Sequence, residues 1–232
     1  MDRLEQIKHP ISHEFEVFKQ KFDVALQSSN PLLGEVINFI KQRKGKMMRP
    51  MLTLLMAKLC GEISESTYYA AISLETLHTA SLIHDDVVDE SDKRRGQSSV
   101  NALYNNKVAV LVGDYLLATS LMNAALTGDI RIVDLVSRLG QNLSEGEIIQ
   151  LSNTNASDFS EEIYFDVIKK KTAELFASAA EAGAKTAKSS DEMAQNAYNC
   201  PPILSKGTRF GQIRTQKTSI PIYFEIKNVF LH

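Results

Sequence analysis

The sequence predicts an all-helical fold, on three observations. Apolar residues recur three or four apart through most of the first 198 residues. The chain of 232 residues contains no tryptophan, and its six prolines and eleven glycines are sparse through the middle. With 44% hydrophobic residues it can bury one sizeable core. A net charge of −2 and scattered basic residues, Lys169-Lys170-Lys171 being the longest run, give no strong field for nucleic acid. No uninterrupted apolar run reaches the roughly eighteen residues of a membrane span, so no transmembrane segment is expected. The opening Met1-Asp2-Arg3-Leu4-Glu5 lacks the apolar core of a signal peptide. Cys60 and Cys200 show no metal-ligand spacing and are expected to be free thiols in a reducing cytoplasm.

Each element follows from its pattern. Phe15, Phe18, Phe22 and Leu26 mark one face of a helix over residues 11–26. Asn30-Pro31 is a helix start, with Leu33, Val36, Ile37 and Ile40 as the stripe that follows. Lys44-Gly45-Lys46 breaks the pattern. Pro50 opens the next helix, which stops at Gly61. Ser66 is expected to cap a long helix reaching Asp89. Residues 90–101 are polar and form a loop, and an apolar helix runs from Ala102 to Leu126, before Gly128. Residues 129–152 and 160–187 supply two more helices, joined by the polar stretch 153–158. After Asn199 the character changes. Pro201-Pro202 ends any helix and periodicity is lost. The expected division is a helical domain over residues 1–198 and an irregular tail over 199–232.

The informative segment is His84-Asp85-Asp86-Val87-Val88-Asp89. Positions four apart share a helix face, so Asp85 and Asp89 project together, about 6 Å apart along the axis. Two carboxylates that close repel unless a cation sits between them. Their hard oxygens suit Mg²⁺, which is commonly held by one or two carboxylates together with substrate phosphate. Asp86 lies about 100° round the helix, at the rim or completing the shell. The bland alternative is a solvated acidic helix end. There the negative end of the macrodipole disfavours anions, a penalty that a bound cation relieves. His78 lies on the same face, two turns earlier. Just beyond the acidic motif, Arg94 and Arg95 could grip phosphate bidentately. Lys46 and Arg49, in Lys44-Gly45-Lys46-Met47-Met48-Arg49-Pro50, form a second basic loop of the same kind.

This constellation resembles the trans-polyprenyl diphosphate synthases (the isoprenyl diphosphate synthase family) over roughly residues 30–185. The resemblance rests on residues 45–50, Leu77 through Asp89, Arg94-Arg95-Gly96, Gly113-Asp114-Tyr115-Leu116, Gly146-Glu147-Ile148-Ile149-Gln150 and Lys171-Thr172, in the family's order. It implies an isoprenoid synthase fold, a bundle of long antiparallel helices around a central cavity, usually in a homodimer. It implies a prenyltransferase that condenses isopentenyl diphosphate with an allylic diphosphate, dependent on Mg²⁺. Asp85 and Asp89, with Asp86 near, look like the first aspartate-rich motif. Arg94 looks like the arginine on the allylic diphosphate, and Lys46, Arg49, His78 and Arg95 like the isopentenyl diphosphate clamp. Gln150, Lys171 and Thr172 match positions lining the allylic site. Leu77, Ala80 and Ser81 are expected to face the growing product. The family blocks growth early with bulky aromatics at the fourth or fifth place before the first aspartate. Small Ser81 and Ala80 there imply a medium-to-long polyprenyl chain, with Leu77 as a floor one turn deeper.

The sequence also departs from the family, whose members are longer and carry a second aspartate-rich motif. After Lys171 the only aspartate is Asp191, with Glu192 beside it. Three readings stand: a truncated or frame-shifted chain, a non-catalytic prenyl-diphosphate-binding subunit of a heteromeric synthase, or a substitute site at Asp191 and Glu192. The abrupt break after Asn199 favours the first. A terpene cyclase fits less well, because the clamp residues it does not need are all here. A ferritin-type dimetal oxidase would need inward Glu-x-x-His pairs, and none occurs.

Overall fold

The computed structural model describes residues 3–42, 45–94, 96–153, 166 and 169–199, and the tail expected from residue 199 lies outside them except for Asn199. The described chain is helical, as expected. A short α1 (Arg3–Lys8) and a 3₁₀ turn at His9–Ile11 lead into α2 (Ser12–Ala25). The α3 helix (Pro31–Gln42) starts where Asn30 Oδ1 accepts the Leu33 amide at 3.1 Å. It is followed by α4 (Met48–Cys60) and the central α5 (Glu65–Val88). A two-residue hairpin, β1 (Lys93–Arg94) with β2 (Gln97–Ser98), precedes α6 (Val100–Tyr104) and α7 (Asn106–Leu126). The remaining helices are α8 (Ile130–Asn153), α9 (Glu174–Thr186) and α10 (Asp191–Asn199), with a π-helical turn at Lys169–Ala173 leading into α9.

Three boundaries differ from those expected, the first being that α4 starts at Met48 and holds Pro50 in its first turn. The cap of α5 is Ser64 rather than Ser66: the Ser64 amide donates to Thr67 Oγ1 at 3.1 Å, the reciprocal half of a capping box. The helix expected from Ala102 to Leu126 is two helices. Asn105 breaks it in the left-handed region at φ 74°, and its side chain then caps α7 by accepting the Val108 amide.

The core has two parts, and α5 contributes to both. One gathers Phe15, Phe18 and Phe22 of α2 against α3, α5 and α7. The other gathers α4, α8, α9 and α10 around Leu74 and Leu77 of α5 and is rich in alanine. The buried contact of Ser120 Oγ with the Ser73 carbonyl, 2.8 Å, pins α7 antiparallel to α5. A cavity of about 70 Å³ lies between α2, α3, α5 and α7, lined in part by Leu26, Ile37, Met47, Thr76, Thr79 and Leu116.

Among the described residues, α7 alone is long and apolar enough to cross a membrane, with a mean hydropathy of 1.5 over its best window. Polar interruptions at Gly113-Asp114 and Thr119-Ser120 hid it from the uninterrupted-run reading. Packing explains its composition: 44% of that window is buried, and Val112, Leu116 and Ala124 lie in the core. Its outer face leaves Val110, Leu111, Leu121, Met122 and Leu126 exposed.

Candidate active site

Four helix ends meet at one end of the bundle. The C-terminal turns of α5 and α8 bring Asp85 and Asp89, and Glu147 and Gln150. Lys171, in the π turn just before α9, donates to Glu147 Oε2 and, at 3.1 Å, to Gln150 Oε1, and lies 4.0 Å from Asp85 Oδ2. Arg49, in the first turn of α4, stacks its guanidinium 4.8 Å above the Phe176 ring of α9. The turn that leads into α9 therefore lies beside the ends of α5 and α8, and α4 begins beside the first turn of α9, with Met47 near Thr76 and Thr79 about two turns before Asp85. Helix C-termini favour cations and N-termini favour anions. One end of the bundle thus offers a place for each.

Local sequence explains the closeness. The Asp89 amide donates to the Asp85 carbonyl at 2.8 Å, so helical geometry carries through to Asp89 and both carboxylates share a face. At Gly146, an added Cβ would stand 3.1 Å from Lys170 Cβ and 3.3 Å from Lys171 Cγ, so its lack of a side chain lets the lysine turn settle against α8. Gly113 does the same between α7 and α5. A Cβ there would stand 2.6 Å from His84 Cδ2, and the His84 ring instead sits 3.3 Å from Asp114 Oδ1 and from the Val110 carbonyl.

Asp86 points elsewhere. Its side chain is 2% exposed, and Oδ1 accepts from Arg94 Nε at 2.7 Å. Asn101 holds the Asp86 and Ser91 carbonyls, at 3.3 and 3.2 Å. Asp86 and Arg94 thus brace the hairpin of β1 and β2 against the end of α5.

Asp85 is the electrostatic centre. Burial pushes its carboxyl up to about 6, Glu147 adds to the rise, and Lys171 and Arg94 partly offset it. An acid so crowded by negative charge is where a hard dication relieves most repulsion, and the oxygens of Asp85 and Asp89 suit one. Among the described residues no three Asp, Glu, His or Cys side chains gather as metal ligands. Glu147 is engaged by Lys171 and Asp86 by Arg94.

The other expected residues are placed as follows. Lys46 is exposed in the loop before α4, and His78 is half-buried two turns before Asp85. Arg95 and the side chain of Thr172 lie outside the described residues. Leu77 is buried in the alanine-rich core facing Gly140 of α8, while Ala80 is buried in the phenylalanine-rich core. Ser81 is half-buried and donates to the His78 carbonyl at 2.9 Å. Asp191 is no substitute for a second acidic site. It is 84% exposed and paired at 2.9 Å with Arg131, at the start of α8, roughly 24 Å along that helix from Glu147. Glu147 also stands at this site, beyond the residues expected there. Its three-residue spacing from Gln150, which puts both on one helix face, was the available signal.

Comparison with known proteins shows the family. A sequence profile described as polyprenyl synthetase matches residues 30–206. Octaprenyl diphosphate synthase of Escherichia coli is 38% identical over 156 residues, which is 67% of this chain and 48% of that protein. A decaprenyl diphosphate synthase structure from Rhodobacter capsulatus superposes with a TM-score of 0.81 at 34% identity, covering 85% of this chain and 61% of that one. A geranylgeranyl pyrophosphate synthase structure from Bacteroides thetaiotaomicron gives 0.72 at 49% identity, covering 86% and 60%. The chain thus spans about half the length of the curated relatives it matches. With a profile match over most of its residues and helices that superpose on those of solved prenyl diphosphate synthases, this chain belongs to the polyprenyl synthetase family.

Proposed function

We propose that this chain carries the diphosphate-binding half of a prenyltransferase that joins isopentenyl diphosphate to an allylic diphosphate. The observation that supports it most is the meeting of Asp85 with Lys171 and Gln150, one helical turn before Asp89, at the end of the bundle toward which α4 carries Arg49 against Phe176. Asp85 and Asp89 would hold Mg²⁺, which, when bound, offsets the negative charge of a departing pyrophosphate. Lys171 and Gln150 orient the same group as the carbon–oxygen bond breaks, where preorganised donors contribute most. Lys46, Arg49, His78 and Arg95 would hold the second diphosphate, as the resemblance of their motifs implies. Apolar side chains around α5 would keep water from the allylic cation until the double bond of isopentenyl diphosphate attacks it, and the cation so formed would lose a proton to the departed pyrophosphate.

Small residues at Ala80 and Ser81 support a medium-to-long product, in keeping with relatives named for octaprenyl and nonaprenyl diphosphate. The exposed apolar face of α7 is the surface on which a second copy would dock to form a homodimer. Cys60, a half-buried free thiol, accords with a cytoplasmic setting.

The test is incubation with radiolabelled isopentenyl diphosphate, an allylic primer and Mg²⁺, followed by extraction and chain-length separation. Label in products longer than geranylgeranyl supports the reading, and products that stop at twenty carbons overturn its chain-length part. No label in any prenyl product, with no magnesium-dependent retention of either diphosphate, overturns the whole.

A further inference from the structure

We infer that Glu147 is a charge gate, which makes diphosphate binding at this site conditional on a divalent cation already held at Asp85 and Asp89. The inference rests on the proposed function and concerns a residue that reading leaves without a role. Glu147 is only 9% exposed and grips Lys171, whose Nζ lies 4.0 Å from Asp85 Oδ2. Gln150 joins the same clasp, its Nε2 lying 3.5 Å from Glu147 Oε1 and its Oε1 accepting from Lys171.

The charges at this spot are three carboxylates, Asp85, Asp89 and Glu147, against one ammonium already bound by one of them, while Arg94, which also acts on Asp85, is offset by its own partner Asp86. An arriving diphosphate therefore meets net negative charge and must displace Glu147 from Lys171. A dication at Asp85 and Asp89 reverses that balance, and the phosphate oxygens can then take over Lys171. Buried as it is, Glu147 escapes most screening by salt, so its effect survives at physiological ionic strength. Gly146 keeps the grip tight by allowing the lysine turn against α8. Glu147 acts through Lys171 and so is a positioning residue, one that would stop the site filling with metal-free pyrophosphate.

The test is calorimetric titration of the whole chain with inorganic pyrophosphate, once in excess chelator and once in Mg²⁺. The readout is the ratio of the two dissociation constants. In the wild type the ratio is large. Glu147→Gln is expected to shrink it about tenfold, the worth of one charge interaction of the size that displaces a pKa by one unit. The change should come from tighter binding in chelator, with little change in Mg²⁺. Glu145→Gln removes the same charge two residues away, where the side chain is exposed and paired with Lys170, and should leave the ratio alone. Should Glu147→Gln lose its cooperative thermal unfolding, Glu147→Asp carries the test by moving the ratio the same way to a smaller extent. An unchanged ratio, equal tightening in both arms, or an equal response to Glu145→Gln overturns the gate. A wild type that binds no pyrophosphate even in Mg²⁺ overturns the proposed function instead, so the two failures are distinguishable.

Discussion

Along the seam between α4 and α9, the two helices touch almost backbone to backbone. A Cβ on Gly183 would stand 2.9 Å from Met56 Cβ and 3.0 Å from the Ala57 nitrogen, and one on Gly61 2.9 Å from the Ala187 carbonyl oxygen. The buried Thr53 hydroxyl reaches both the Arg49 and Ala179 carbonyls, each at 3.1 Å. A few turns away, where the same two helices begin, the chain does the opposite. It crowds Asp85 and Glu147 around Lys171, with the exposed Asp89 one turn further on, and holds Asp85 well above the usual carboxylate range. The seam is packed as a globular interior is, and its parallel register, Arg49 beside Phe176 and Gly61 beside Ala187, fixes where Lys171 stands. The site carries unfavourable charge that this packing supports, as expected where function rather than stability selects the residues.

Substitutions can break or sharpen this contrast. The largest loss should come from Gly183→Val, which forces side-chain atoms into the backbone of α4. We expect about 3 kcal/mol or more of destabilisation in urea unfolding, and a change within experimental error would mean the helices are not in register. Next is Asp86→Asn, which removes the charge that Arg94 neutralises. Arg94 keeps some access to water, so about 2–3 kcal/mol is expected.

Asp85→Asn should act in the opposite direction. A carboxyl at about 6 in the fold and 3.8 in the unfolded chain binds its proton more tightly when folded. Its contribution to stability therefore falls as pH rises from about 4 to about 6, and the deficit is complete above that. Removing the charge should stabilise the metal-free protein by on the order of 2 kcal/mol at pH 7.5 and by almost nothing below pH 4. Thermal melts at the two pH values, in chelator, check this, and equal shifts at both would contradict it. The smallest effect is Thr53→Val, near 1 kcal/mol from one buried hydroxyl shared between two carbonyls.

Much of this was legible in the sequence, for reasons that are local. The spacing of Phe15, Phe18 and Phe22 gave one face of α2, and Asn30-Pro31 gave the start of α3. Asp85 and Asp89 could be placed together because helical geometry alone sets their separation. What the sequence did not reveal depends on contacts between distant segments. Asp86 looks like its neighbours in the motif, and only Arg94 folding back makes it a brace. Glu147 is one glutamate on a polar helix until the turn at Lys171 arrives across Gly146. Asp191 seemed available as a substitute acid until Arg131 claimed it. Ser64 and Ser66 are equally good caps by type, and the reciprocal bond with Thr67 decided between them.

The paired acids at the end of α5 are expected to take a metal together. Crystals grown with Mn²⁺ and pyrophosphate, measured at the manganese absorption edge, would show this directly. We expect an anomalous peak in contact with both Asp85 and Asp89, absent in Asp85→Asn. A map with no peak at that pair, or with its strongest peak at Asp191, would contradict it.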